Sequence, residues 1–259
     1  GLFTSKDQNG IKANTLINIV HITKEKLSGS FDNIIAGDYY LKELDTSNAF
    51  NLNQNQYKLS FKYSNKNSEN TTIKLAETFI NELKRGNVEI IKLDAKTKKV
   101  LPGAKFGLYT SNNKKIGSYT TDENGKIVVK DLEIGEYYFI EEYAPKGFII
   151  NKTPLKFKVE TNGKTHYTTV ENERIPHKVE ITKTDLTTGK AVEGATIEIY
   201  DKETGKKVYE TVTDKDGKLP GLKLPFGNYY FVETKAPKGY LLNNKKQFFT
   251  VEKDGKITG

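Results

Sequence analysis

Lysine, glutamate and asparagine recur where the strand pattern calls for apolar residues. In a β-strand, residues two apart share a face. In the run Val179-Glu180-Ile181-Thr182-Lys183-Thr184, one face holds Val179, Ile181 and Lys183 and the other Glu180, Thr182 and Thr184. The second face is wholly polar and belongs in water, so Lys183 points into a core. Val88, Ile90 and Lys92 repeat the pattern. In Tyr39-Tyr40-Leu41-Lys42-Glu43, Lys42 marks the outer face, which turns Tyr39, Leu41 and Glu43 inward. Glu141 and Glu233 hold the matching place in two similar segments. Thr168, Val170 and Asn172 share a face, as do Phe79 and Asn81.

Buried Lys and Glu are costly unless paired. Three readings account for them. One is a buried salt bridge with a hydrogen-bonding Asn, which contributes little net stability. Another is a strand end whose polar groups reach solvent. The third is a reaction. Desolvation lowers the pKa of Lys and raises that of Glu. A neutral amine is a nucleophile, and a protonated Glu can polarise the Asn carboxamide and shuttle protons. The products are a Lys–Asn amide and ammonia. Proximity drives it once per domain, as self-modification without turnover and with no cofactor.

These side chains have to be placed by repeated elements. Gly37-Asp38-Tyr39-Tyr40-Leu41-Lys42-Glu43, Gly135-Glu136-Tyr137-Tyr138-Phe139-Ile140-Glu141 and Gly227-Asn228-Tyr229-Tyr230-Phe231-Val232-Glu233 align without gaps. Lys99-Val100-Leu101-Pro102-Gly103-Ala104 and Lys190-Ala191-Val192-Glu193-Gly194-Ala195 form a second repeated pair, and the Lys92 and Lys183 runs a third. The repeat is about ninety residues, a domain-sized unit. It divides the chain into 1–86, a unit lacking its first strand, 87–175, a complete unit, and 176–259, a unit lacking its last strand. The first is read as truncated because Gly1-Leu2-Phe3-Thr4-Ser5 matches Gly107-Leu108-Tyr109-Thr110-Ser111, and the third because Gly259 matches Tyr167. Thr23-Lys24-Glu25-Lys26 stands where the second unit has an Asn-Gly turn and is expected to be irregular or incomplete. Linkers Lys84-Arg85-Gly86 and Arg174-Ile175-Pro176-His177 are short, which predicts an elongated, semi-rigid rod. Period-2 alternation and turns at Asn124-Gly125, Asn162-Gly163, Asp216-Gly217 and Asp254-Gly255 predict an all-β fold of tandem immunoglobulin-like sandwiches.

Composition narrows the function classes. The chain has 259 residues with no Cys, Met or Trp, 15 Tyr and 13 Phe. Without Cys there is neither a disulfide nor a thiolate metal site. The absence of an initiating Met predicts a fragment or processed segment. No apolar run approaches the ~18 residues of a membrane span. The net charge of +8 comes from Lys spread along the chain, with Arg only at 85 and 174. Phosphates and bases are read by Arg, so a solvated surface is favoured over nucleic-acid binding. His21, His166 and His177 are scattered without metal-ligand spacing. Asp122-Glu123-Asn124-Gly125 and Asp214-Lys215-Asp216-Gly217 lack the downstream Glu of a calcium loop and read as hairpin turns.

The segment Tyr229-Tyr230-Phe231-Val232-Glu233-Thr234-Lys235-Ala236-Pro237-Lys238-Gly239-Tyr240 resembles the E-box of Gram-positive pilins, as does Tyr137 through Phe148. The Lys-x-Asp start, the Gly-Ala step and the Asn near the unit's end resemble the same family, the CnaB-type (SpaA-type, prealbumin-like) domains of sortase-anchored pilins and adhesins. This resemblance covers nearly the whole chain. It implies that Lys92 and Asn172 are bonded and that Glu141 is the catalytic proton shuttle. It gives the third unit Lys183 and Glu233, with an Asn partner beyond Gly259. The first unit receives Glu43 and Asn81, with a Lys partner before Gly1. Leu44-Asp45-Thr46-Ser47-Asn48-Ala49-Phe50 departs there from the Ala-Pro-x-Gly turn, which weakens Asn81 more than Asn172. One bond is therefore expected, in the second unit.

The function implied is a structural stalk of a cell-wall-anchored, secreted surface protein, not an enzyme. Its partners would be neighbouring domains of a longer protein, pilus subunits or a host extracellular-matrix protein. The rivals are an adhesive module that binds a host ligand directly and a polyanion-binding surface protein.

Overall fold

A computed structural model describes residues 1–62 and 78–259. Among them every regular element is a strand. The first compact unit holds β1 (Leu2–Thr4), β2 (Leu16–Asn18), β3 (Gly37–Leu41) and β4 (Tyr57–Phe61) in one antiparallel sheet ordered β2-β1-β3-β4. The chain is continuous through Thr23–Lys26, where Thr23 and Lys26 exchange backbone hydrogen bonds of 3.1 and 3.2 Å and close a tight turn.

The next ninety residues form two sheets. β5 (Arg85–Asp94), β8 (Lys126–Glu133) and β11 (Thr165–Asn172) are ordered β11-β5-β8. β6 (Lys105–Thr110), β7 (Lys115–Thr120), β9 (Gly135–Tyr143) and β10 (Leu155–Val159) are ordered β10-β9-β6-β7. β5 alternates strictly, with Val88 and Ile90 wholly buried in the core beside Phe106, Leu108 and Phe139. The last segment repeats this plan with β12 (Pro176–Lys178), β13 (Thr196–Asp201), β14 (Lys207–Val212), β15 (Lys223–Pro225), β16 (Gly227–Lys235), β17 (Gln247–Val251) and β18 (Ile257–Thr258). Its core gathers Val179, Ile197, Ile199, Leu222, Leu224 and Tyr229. The chain is thus a tandem array of immunoglobulin-like all-β domains.

The glycines of two of the Asn-Gly and Asp-Gly turns, Gly125 and Gly217, have a specific duty. Gly125 and Gly217 both sit at φ +69, and their carbonyls accept the backbone N–H of Lys92 and Lys183 at 2.8 Å. A Cβ on either would lie 2.8 or 2.4 Å from the carbonyl oxygen of that same lysine, so only glycine fits. The acidic loops at Asp122 and Asp214 are Asx turns, each carboxylate accepting two downstream backbone N–H groups at 2.8–3.0 Å.

Two features depart from simple alternation. Tyr40 belongs to the outer face by parity, yet it is buried because Phe3 stacks on it at 5.2 Å. The same cross-strand stack recurs as Tyr109 on Tyr138 and Tyr200 on Tyr230. Thr78 through Asn81, aligned with the end of β11, forms no strand. β11 is held by parallel pairing with β5, and the first unit has no counterpart of β5 among its described residues.

Candidate functional site

β5 and β9 lie in different sheets, and alternation aims one polar side chain from each into the shared interior. Lys92 and Glu141 are both fully buried, and Asn172, the last residue of β11, is 1% exposed. Parallel register pairs Val170 with Lys92 and Asn172 with Asp94, so the Asn172 side chain reaches back beside the lysine. Lys92 Nζ donates to Asn172 Oδ1 at 2.6 Å. Asn172 Nδ2 donates to Glu141 Oε1 and Oε2 at 2.8 and 3.0 Å. Lys92 Nζ lies 3.9 Å from Glu141 Oε1 and 5.9 Å from the Phe106 ring centre. The three side chains therefore meet, with the carboxamide between amine and carboxyl.

Burial lowers the Lys92 amine to about 8, against the opposing charges of Glu141 and Glu171, which favour the ammonium. At that value about a tenth of the amine is neutral at pH 7, against roughly one part in three thousand at the ordinary value. The site thus holds a nucleophile in hydrogen-bond contact with an amide, and a carboxyl on the leaving nitrogen.

Glu141 is also held by a residue that strand reasoning does not reach. The backbone N–H of Asn151 donates to Glu141 Oε2 at 2.7 Å, and Asn151 Oδ1 in turn accepts the Thr153 N–H. Asn53 N–H donates to Glu43 Oε2 at 2.6 Å and Asn243 N–H to Glu233 Oε2 at 2.9 Å. An Asn ten residues after the Glu in all three units was the available signal.

In the third domain Lys183 Nζ lies 3.3 Å from Glu233 Oε2. The lysine side chain is 22% exposed, against 0% for Lys92. Val179, Ile181 and Lys183 turn inward, and Glu180, Thr182 and Thr184 are exposed. Glu233 Oε1 is buried without a hydrogen-bond partner and borders a cleft of about 220 Å³ lined by Ile181, Lys183, Phe231, Glu233, Asn243 and Gln247. In the second domain the corresponding carboxyl oxygen is met by Asn172. In the first unit Asn81 Nδ2 donates to Glu43 Oε1 and Oε2 at 3.0 and 2.8 Å, to Thr46 Oγ1 and to the Asn51 carbonyl. Among the described residues no lysine amine reaches Glu43. Among the described residues, only the second domain assembles all three residue types.

Known proteins resemble this chain in sequence and fold. The B. anthracis protein described as the TIE protein is 30% identical in a solved structure, with a TM-score of 0.56 over 89% of this chain and 42% of that one. The trypsin-resistant surface T6 protein of Streptococcus pyogenes serotype M6 is 40% identical over 60 residues, 23% of this chain and 11% of the relative. Serine-aspartate repeat-containing protein D of Staphylococcus aureus strain Newman is 27% identical over 166 residues, 56% of this chain and 12% of the relative. The chain therefore spans about a tenth of these curated relatives. The model of the SpaA prealbumin-like fold domain matches residues 86–174 and 177–259, and the chain belongs to that family.

Proposed function

We propose that this chain is a stalk segment of a Gram-positive cell-surface adhesin or pilin, and that its second domain locks itself with an amide between Lys92 and Asn172. The observation that carries the reading is the buried Lys92–Asn172–Glu141 chain of hydrogen bonds. The neutral Lys92 amine attacks Asn172 Cγ. Glu141 takes a proton from the attacking nitrogen and returns one to Nδ2. The Cγ–Nδ2 bond then breaks, and ammonia leaves as the Nζ–Cγ amide forms. No oxidant or cofactor is needed, and the residues are consumed in one turnover, so the chain is not an enzyme.

The product suits a load-bearing segment. The crosslink joins residues 80 positions apart. The chain-entropy cost it removes from the unfolded state is about 4–5 kcal/mol. Tension between the domain's ends would pass through the amide joining first strand to last and leave the sheets unloaded. In a chain without Cys this replaces the disulfide that secreted domains use. The surface proteins among its relatives support an extracellular, wall-anchored location, with neighbouring domains, pilus subunits or host extracellular-matrix protein as partners. The third domain brings Lys183 and Glu233 together, and the first unit brings Asn81 and Glu43 together.

Tryptic mapping tests the reading. The peptides containing Lys92 and Asn172 are expected as one branched species, uncleaved after Lys92. Recovery as two separate linear peptides would contradict it.

A further inference from the structure

The strand ends that carry Lys92 and Asn172 are tied by a second pair of residues, which the crosslinking chemistry does not use. β5 ends at Asp94 and β11 at Asn172, and the register sets these two residues opposite each other. Two positions beyond Asn172, Arg174 folds back over the end of β5. Its Nε and Nη2 donate to Asp94 Oδ2 at 3.0 and 2.6 Å. Its Nη1 donates to the carbonyl oxygen of Phe226, in the third domain, at 2.7 Å. The guanidinium carbon lies 4.2 Å from the centre of the Phe226 ring. The Arg174 and Asp94 side chains are 9% and 6% exposed. Phe226 is fixed in turn by an edge contact with Phe148 at 5.3 Å. Beside it, Lys96 is ion-paired with Asp201 of the third domain.

Asp94 has a counterpart in the third domain, Asp185. Asp185 Oδ1 caps its own turn through the N–H groups of Thr187 and Thr188. Asp94 Oδ1 does the same for Lys96 N–H at 2.9 Å. The other oxygen of Asp94, Oδ2, accepts from Arg174. Burial pushes the Asp94 carboxyl up, and the hydrogen bonds from Arg174, Thr97 and the Lys96 backbone outweigh it and hold it below its ordinary value. Arginine suits the place because its rigid fork can reach a carboxylate and a carbonyl at once.

Geometry makes this pair matter for the reaction. Lys92 and Asp94 are two positions apart on one face of β5, about 7 Å along the strand. Asn172 is the terminal ladder residue of β11, where a strand frays. Attack on its carboxamide requires that end to stay in register while the lysine approaches, and a misplacement of about 1 Å can cost about a hundredfold in rate.

We propose that Asp94 and Arg174 are positioning residues for the Lys92–Asn172 crosslink, and that the third domain, by seating Arg174 on Phe226, sets how fast the second domain locks. This rests on the crosslinking reading above.

The test follows loss of ammonia by intact mass during cell-free synthesis of the full 259-residue chain. Arg174→Ala, Arg174→Lys and Phe226→Leu are compared with the parent. Arg174→Ala should slow bond formation by about tenfold or more. Arg174→Lys should restore part of the rate, and Phe226→Leu should slow it with Asp94 and Arg174 intact. The pH dependence should keep its midpoint, since Lys92 remains buried, while the plateau rate falls. A general loosening of the core would instead move the midpoint toward that of a solvated lysine. If Arg174→Ala does not fold, Arg174→Lys and Phe226→Leu carry the test. Rates equal to the parent's in both would overturn the proposal. A parent chain that never loses ammonia would overturn the crosslinking reading itself, which is a different result.

Discussion

Replacing Lys92 by Met keeps a long unbranched side chain in the core, introduces no buried charge and removes the nucleophile. The crosslink spans 80 positions, and its loss returns about 4–5 kcal/mol of entropy to the unfolded second domain. For a domain matched over residues 86–174, each kcal/mol corresponds to about 4–8 °C in Tm, so the shift should be about 20–35 °C. Glu141→Gln should fall at least as far, because it leaves the Lys92 amine unreacted, buried and without its carboxyl. The assay is calorimetry on the full chain, in which the second domain's transition moves down while the other transitions stay. A Lys92→Met transition within about 5 °C of the parent would refute the reasoning, since a closed loop of this length must contribute more than that.

Two further outcomes follow from the same geometry. Lys92 faces Glu141, with the Glu171 charge also acting on it, and burial lowers the amine to about 8. The neutral fraction of the amine therefore grows about tenfold per pH unit below 8 and is nearly complete above it. The neutral amine itself supplies the proton that Glu141 passes to the leaving nitrogen, so the crosslinking rate, followed by mass, should rise up to about pH 8 and level above it; a rate that stays flat below 8 would remove the neutral Lys92 amine as the nucleophile. Gly125→Ala places a Cβ 2.8 Å from the Lys92 carbonyl oxygen at φ +69, whereas Gly103→Ala at φ +81 meets nothing within 4 Å. In denaturant melts Gly125→Ala should cost about 2–3 kcal/mol and Gly103→Ala about 1, and equal losses would remove the steric argument.

Much of the site is legible from strand parity. Lys92, Glu141 and Asn172 each sit on a strand with one buried face, and an inward charge breaks a period-2 pattern in plain view. What parity misses is carried by backbone groups and by tertiary covering. The Asn151 N–H that holds Glu141 leaves no side-chain signature, and only the ten-residue spacing shared with Asn53 and Asn243 reveals it. Tyr40 is buried from its polar side by Phe3, which alternation along a single strand cannot foresee. Asp94 and Arg174 meet through a linker and a carbonyl of the next domain, and no local pattern records such a contact. Asn81 lies on a segment without ladder pairing, yet it still finds Glu43, because a carboxamide can satisfy a carboxylate without a strand to carry it.

The most direct measurement is the intact mass of the purified 259-residue chain, read to within a dalton. A deficit of one ammonia that disappears in Lys92→Met and in Glu141→Gln is the predicted result. An unmodified mass in the parent chain would contradict the account and leave Lys92, Glu141 and Asn172 as a buried hydrogen-bonded cluster.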